Sequence, residues 1–488
     1  MRKLAIAAAL LPVVSYAAQP KPNVILIMTD QHRFDCIGAT NSTVLTPNID
    51  LLAADGVLFS KAYTAAPSST PARSVLLTGM TPWHCGMIGY NNKIAQRYPH
   101  ELPRMMNETG YATVAVGKMH YWPQRNGHGF QKLYLDESGR VESDDFVSDY
   151  RQWFSSVAPG VNPDSTGLDW NGHDAKRYAL ADTLHPTHWT ASVAVEQIEQ
   201  YCESKPLFLK VSFARPHSPY DPPQRYIDMY TKDSIAPPWI GDWCEKYGHA
   251  KPSPTAAFGN FGIPHAIKSR AHYYASITFI DQEIGRVIKA LKEKGLYDNS
   301  VIIFTSDHGD MLGDHHHWRK TYPYEGSSHI PFIMKTPHNK GAGTIRQECV
   351  DLRDIMPTFL SAAGINVPEC VDGSSLLELV KNGKHHWREY IEMEHSACYG
   401  VIGGWVALTD GVMKYIWFYN TASEQLFDLS KDPHELQELS KNKEYTRALA
   451  LWRTRMIALL TERGTEWVRN GELQKVESHS PTNHNYPK

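Results

Sequence analysis

Four apolar runs, each ending abruptly in polar residues, constrain the fold of this chain more than any other feature. Asn23–Met28 leads into Thr29-Asp30-Gln31, Tyr111–Val116 into Gly117-Lys118-Met119-His120, Leu207–Phe213 into Arg215-Pro216-His217, and Val301–Thr305 into Ser306-Asp307-His308-Gly309-Asp310. Runs that are apolar throughout, rather than alternating, mark strands buried on both faces. Helical patterns lie between them at Leu102–Thr109, Trp189–Tyr201, Tyr273–Lys294 and Asp354–Ala363, with Gly110, Gly295 and Gly364 placed as helix stops. Strands alternating with helices predict an α/β fold, a large mixed and mainly parallel sheet flanked by helices. Ligands bind such sheets at the carboxyl ends of the strands, so the polar run-ends are expected to converge on one crevice.

The rest of the 488 residues divide around that sheet. Met1-Arg2-Lys3, the apolar stretch Leu4–Val14 and the small residues near Ala17 and Ala18 read as a signal peptide over 1–18, predicting export to the periplasm. That stretch is too short to span a membrane, and no later stretch reaches spanning length. The main domain is expected over 19–375. From 376 to 488 short strands (Glu389–Glu394, Trp405–Leu408, Met413–Tyr419, Leu426–Leu429) and a helix (Glu444–Arg463) predict a smaller C-terminal α+β subdomain. The weakly patterned segment 121–188 reads as a long insertion facing the crevice. A net charge of −3 argues against broad capture of nucleic acid or anionic membrane. Seven scattered cysteines make neither a disulfide framework nor a zinc pattern.

The chemistry starts at Ser69-Thr70-Pro71-Ala72-Arg73, followed by Leu77-Thr78-Gly79. Pro71 suits a first helical turn and Gly79 a helix stop, which puts the Ser69 oxygen at a helix N-terminus, where an anion is favoured. Arg73 lies one turn on and offers a planar fork to oxyanions. This trio suits attack on a sulfate or phosphate ester. Asp30-Gln31 and Asp307-His308 bring a mainly oxygen donor set to two strand ends, better matched to Ca²⁺ or Mg²⁺ than to zinc. Lys118 and His120 stand two residues apart at a third strand end. His217 sits between two prolines, and Lys320 follows a His-rich stretch.

With these residues in this order, residues 21 to 440 resemble the type I sulfatases of the alkaline phosphatase superfamily, with a Ser-type (Cys/Ser)-x-Pro-x-Arg…Thr-Gly signature. The resemblance implies that Ser69 is oxidised to formylglycine by a maturase and acts as the nucleophile, with Arg73 as its stabiliser. It implies metal ligation by Asp30, Gln31, Asp307 and His308, and a sulfate pocket built from Lys118, His120, His217 and Lys320. It assigns charge balance on the sulfuryl oxygens to Lys118 and Lys320, protonation of the leaving oxygen to His217, and release of sulfate to His120. Gln31 and His308 stand where many family members carry Asp and Asn, and Ala72 where Ser is common.

The remaining expectations concern the substrate. His84, Lys176, Arg177, His185, His188, Arg319 and His395 are candidate binders of carboxylate or hydroxyl groups around the crevice, with Trp83, Tyr121, Trp122 and Trp318 as aromatic platforms. The Asp30-Gln31 pair, the Lys118-x-His120 pair and Leu184–Trp189 are similar to segments of bacterial 2-O-sulfatases acting on the terminal unsaturated uronate of heparin or chondroitin oligosaccharides. Alternatives are 6-O-desulfation of a hexosamine or action on another sulfated glycan or aryl sulfate. Hydrolysis of phosphomonoesters or phosphonates by unmodified Ser69, and non-catalytic binding of sulfated glycans, also stay open.

Overall fold

A computed structural model of the chain describes residues 20–141, 143–202, 204–249, 253–381, 386–399 and 402–487. The leader expected at 1–18 lies outside the described residues. The strands of the first part are β1 (Asn23–Asp30), β2 (Val57–Phe59), β3 (Ala62–Tyr63), β4 (Ala112–Gly117), β5 (Lys132–Leu135), β6 (Leu207–Pro216), β7 (Ser300–Ser306), β8 (Phe332–Lys335), β9 (Thr344–Arg346) and β10 (Val350–Asp351). Eight of them form one sheet in the order β5-β4-β6-β1-β7-β8-β2-β9, while β3 and β10 pair separately. Only β8 runs antiparallel to its neighbours, so the sheet is mixed and mainly parallel.

The apolar runs become its centre because side chains alternate across a strand and both faces are covered. Ile25, Ile27, Val211, Phe213, Ile302 and Phe304 pack on one face under residues of the helices Pro47–Asp55, Pro186–Glu199 and Ile263–Glu293. Val24, Leu26, Met28, Phe208, Val301 and Ile303 pack on the other, against the helices Ser69–Thr78, Leu102–Glu108 and Ile355–Ala362. Each fully buried Ile or Phe of this set contributes roughly 1.5–3 kcal/mol. The order β6-β1-β7 sets the carboxyl ends of three chemistry-bearing strands side by side, and a register shift at Thr29/Asp30 aligns Asp30 with Pro216.

The helix expected from Tyr273 begins ten residues earlier, at Ile263. Its first turns bury Ser269, Arg270 and His272, so they carry no apolar periodicity to read. The expected stops Gly110, Gly295 and Gly364 all adopt positive φ.

In the last part β11 (Ile391–His395), β12 (Trp405–Thr409), β13 (Met413–Phe418) and β14 (Ser423–Asp428) form an antiparallel meander. One face packs under the helix Thr446–Thr461 through Val406, Leu408, Tyr415, Leu426, Trp452 and Met456. The other, through Met393, Trp405, Ala407, Ile416 and Phe427, packs onto Tyr63, Met311, Tyr322 and Tyr324. Leu376 and Leu379, just past the expected boundary, join the core of the large sheet. The cysteines are all free thiols. Among the described residues no helix is long and apolar enough to cross a membrane.

A buried ion pair ties β11 of the meander to the chain just past the helix Thr446–Thr461. Arg463 donates to both oxygens of Glu394, at 2.8 and 3.0 Å, with both side chains almost fully buried. Its guanidinium also stacks 4.2 Å from the Trp83 ring. Removing one partner leaves the other charge buried and uncompensated. Arg463→Ala is therefore expected to cost about 3–5 kcal/mol in urea denaturation. A loss below about 1 kcal/mol, the range of an exposed pair, would contradict this role.

Candidate active site

Ser69 opens the helix Ser69–Thr78, which Gly79 ends in the left-handed conformation. The side chain is 2% exposed. Its Oγ lies 3.4 Å from Asp30 Oδ2 and 3.2 Å from His308 Nε2. His308 donates through Nδ1 to Gly309 O at 2.9 Å, which leaves the Nε2 lone pair facing Ser69 and the carboxylates.

Asp30, Asp307 and His308 are wholly buried and each offers a ligand atom within 4.8 Å of the others. Asp30 Oδ1 has no hydrogen-bond partner. A buried carboxylate oxygen left in this state, beside an imidazole lone pair and a second carboxylate, fits a divalent cation of the calcium or magnesium class. Gln31 stands beside them. Its amide nitrogen donates to Asp310 Oδ2 at 2.5 Å and its oxygen accepts from Lys320 at 2.7 Å, leaving one lone pair on that oxygen.

Arg73 is buried beneath this cluster. Nε donates to Asp307 Oδ2 and Nη2 to Asp30 Oδ2, both at 3.0 Å, while Nη1 reaches Lys118 O at 2.6 Å and Ser212 Oγ at 3.2 Å. The fork expected to face an oxyanion is thus engaged by the two carboxylates. Lys118 Nζ lies 2.8 Å from Asp30 Oδ2 but without hydrogen-bond alignment, so its donors remain for another acceptor. Burial works to raise the Asp30 carboxyl, yet Lys118, His217, Arg73 and His308 outweigh it and hold it well below the usual carboxylate range.

The third group is a pair. Lys320 Nζ donates to His217 Nε2 at 2.6 Å, and His217 Nδ1 donates to Ser218 O at 3.0 Å. Burial lowers the Lys320 ammonium to about 7, partly countered by Asp30. Burial and the nearby Lys320 hold His217 well below its ordinary value. The pair therefore shares one proton, at Nε2 of the imidazole or on the amine. His120 is buried, and burial, then Arg140 and Lys118, depress its basicity. Its position is set from the insertion: Glu137 Oε1 accepts the backbone N–H groups of Met119 and His120 at 2.9 and 3.0 Å.

Backbone conformation marks the same place. Gln31, His120, Arg319 and Thr321 have φ of 68°, 57°, 67° and 81° without being glycine, and strain of this kind collects at functional sites. Before Lys118 the chain demands glycine: a Cβ on Gly117 would stand 2.1 Å from Ser212 O.

The structure thus gathers Ser69, Arg73, Asp30, Gln31, Asp307, His308, Lys118, His217 and Lys320 through direct contacts, with His120 beside them. The substrate-rim set divides. His395 Nε2 accepts the hydroxyl of Ser68 at 2.7 Å while Nδ1 donates to Ser396 O at 2.7 Å, so it braces the turn before Ser69. Arg319 stacks 4.3 Å from the Tyr399 ring and donates to Thr255 O. Lys176 donates to Thr166 O, and Arg177 is exposed beside it. His84 pairs with Asp372 at 2.9 Å. His185 is buried as the cap of the helix Pro186–Glu199, and His188 pairs with Glu283 between that helix and Ile263–Glu293. The last three are committed to capping or ion pairing, a role that residue type alone does not distinguish from ligand binding. Among the platforms, Trp83 carries Arg463, Tyr121 meets His128, Trp122 lies under Lys93, and Trp318 stacks on His173.

Sequence reasoning missed Glu137, Ser212, Tyr220 and Asp310. Asp310 Oδ1 accepts the backbone of Leu312 and Arg319, and Oδ2 accepts Tyr220 and Gln31, so it ties the loop carrying Lys320 to β1. The Asp-His-Gly-Asp spacing was its only signal.

A family model described as Sulfatase matches residues 22–365, and one described as N-sulphoglucosamine sulphohydrolase, C-terminal, matches 313–462. The chain is 38% identical over 473 residues to an arylsulfatase of Clostridium perfringens, covering 93% of this chain and 98% of that protein. It is 25% identical over 419 residues to the iduronate 2-sulfatase of Homo sapiens, covering 74% and 73%. Among solved structures it is similar to a phosphonate monoester hydrolase of Agrobacterium radiobacter, with TM-score 0.77, 25% identity and coverage of 91% and 96%.

Titrating chelator-treated protein with Ca²⁺ or Mg²⁺ is expected to raise its thermal midpoint, by about 2.7 kcal/mol of stability at a hundredfold excess over Kd. Asp307→Asn should abolish the rise. An unresponsive wild type would contradict a cation at Asp30, Asp307 and His308.

Proposed function

Because the chain belongs to the sulfatase family, we propose that its hydrolysis of sulfate esters runs through Ser69 matured to formylglycine, with Ca²⁺, or Mg²⁺ in its place, at Asp30, Asp307 and His308. Gln31 is proposed to complete the ligand set through its free lone pair. The observation that carries this reading is the position of Ser69, at a helix N-terminus and within reach of both Asp30 and His308. The hydrated aldehyde supplies one hydroxyl for attack on sulfur and a second whose deprotonation expels sulfate, a step that serine lacks. A cation bound there supplies Lewis-acid charge toward the sulfuryl oxygens.

The chain's own residues do the rest. Arg73 holds the two carboxylates in place and offsets their charge. Lys118 turns unused donors to the sulfuryl oxygens, where charge develops. Lys320 and His217 deliver their shared proton to the leaving oxygen. His120, its basicity kept low by burial and by the neighbouring cations, takes the proton of the second hydroxyl.

For substrate we propose a sulfated oligosaccharide entering as a chain end, with the 2-O-sulfated unsaturated uronate as its terminal sugar. What supports a carboxylated sugar is the cationic margin, where Arg319 on Tyr399 stands next to Lys320, together with the relative acting as an iduronate 2-sulfatase. Export to the periplasm and maturation by a formylglycine-forming enzyme belong to the same proposal.

Intact mass of natively matured protein should fall roughly 2 Da below the serine form, the loss of two hydrogens. Phosphonate or phosphomonoester turnover by protein retaining Ser69 would overturn the assignment. His217→Ala should cost alkyl sulfates about 10²–10⁴-fold, the usual range for a lost general acid, and aryl sulfates far less. Equal losses would leave His217 a binding role only.

Lyase-generated disaccharides carrying a single sulfate settle the position. Release is expected from the 2-O-sulfated unsaturated uronate. Release from 6-O-sulfated hexosamine alone would reverse that expectation.

A further inference from the structure

A second group of donors shares no residue with the Asp30 cluster. His173 and Asp174 lie within the segment 121–188, just before the bridge from Ala175 to Tyr220, and His265 sits in the first turn of the helix Ile263–Glu293. His173 Nδ1 and His265 Nε2 face each other at 2.8 Å. Asp174 Oδ1 lies 3.9 Å from His265 Nδ1. One ligand atom from each of the three falls within 4.8 Å of the others.

The surroundings fix this group in place. The His173 ring is 1% exposed and stacks on Trp318, with centroids 4.4 Å apart and planes 27° apart, while Phe261 closes a second side at 4.7 Å. Its backbone is tied at both ends, N–H to Pro254 O at 2.9 Å and C=O to Ser269 Oγ at 2.6 Å. Solvent reaches the group from the other side, where the His265 side chain is 25% exposed and that of Asp174 48%. Two imidazoles and one carboxylate, with an open side for water, match the donor set that zinc takes with three protein ligands. The Asp30 cluster is richer in oxygen and suits hard cations, so the two should sort metals by type.

We propose that His173, Asp174 and His265 form a second metal site, taking zinc or a neighbouring transition metal. The metal replaces the single proton now shared between the facing nitrogens. Zinc–nitrogen bonds of about 2.0–2.1 Å set tetrahedral nitrogens roughly 3.3 Å apart, so the rings part by about half an ångström and the Asp174 carboxylate turns from the Nδ1 side of His265 toward the gap. Asp174 supplies the negative charge that offsets the positive end of the helix. A metal here clasps residues far apart in the chain, next to the loop that carries Trp318, Arg319 and Lys320.

The test uses full-length protein, stripped of metal and then held in excess Ca²⁺ to fill the oxygen-rich cluster. Zinc titration by calorimetry should show one equivalent bound, and the thermal midpoint should rise. Because losing even an indirect partner of a metal ligand costs 10–100-fold, His265→Gln should weaken binding by at least about 100-fold. Asp174→Asn should weaken it less, and Asp307→Asn should leave it intact. Cobalt should give a visible absorption spectrum that disappears in His265→Gln. Zinc bound equally by His265→Gln, zinc lost instead in Asp307→Asn, or no saturable zinc binding by the wild type would each overturn the proposal. His173 is left unaltered because its ring is packed under Trp318, where substitution threatens the fold.

Discussion

Everything at the crevice rests on one buried guanidinium. Arg73 joins Asp30 at the end of β1 to Asp307 at the end of β7 and reaches the backbone of Lys118 beyond β4. Two carboxylates close together and out of water would repel and take up protons. Arg73 and Lys118 counter them, so Asp30 stays ionised with no exposed surface. The adjacency of the strands creates the problem and the helix Ser69–Thr78 delivers its solution, since Ser69 and Arg73 lie one turn apart on the same helix. The position of Ser69 and the charge balance are thus one piece of geometry.

The chain-local parts of that geometry were legible in the sequence, whereas the turn of the Arg73 fork onto Asp30 and Asp307 was not. Apolar runs buried on both faces read as strands, and their polar ends read as a crevice. The long helix was cut short where its buried face turns polar, at Ser269, Arg270 and His272. What stayed hidden were relations between distant segments. Glu137 sets the Met119 and His120 amides from within a segment with no pattern, and Asp310 organises a loop that sequence shows only as histidine-rich. His84, His185, His188 and His395 have the same chemistry on paper. Only their partners separate a helix cap from an ion pair or a brace.

The C-terminal meander is more than a cover. β11 and the residue after it lend their backbone to the segments on either side of Ser69, with the Glu394 N–H on Ala65 O at 2.8 Å and the Ser396 N–H on Ile88 O at 2.7 Å. Between those two anchors His395 takes the Ser68 hydroxyl. Three successive side chains of β11 are thereby assigned: Met393 to the interface core, Glu394 to Arg463, His395 to the turn. Slippage by one residue would exchange these faces and undo all three.

The brace between Ser68 and His395 spans 327 residues of chain. A ribosome adding 5–20 residues each second needs roughly 20–60 s to make that stretch. For that interval the turn bearing Ser69 exists without its last support, and the hydroxyl that will end up at 2% exposure is still open to solvent. Time, set by where one histidine stands in the chain, separates a period without that brace from the state in which Ser69 is enclosed.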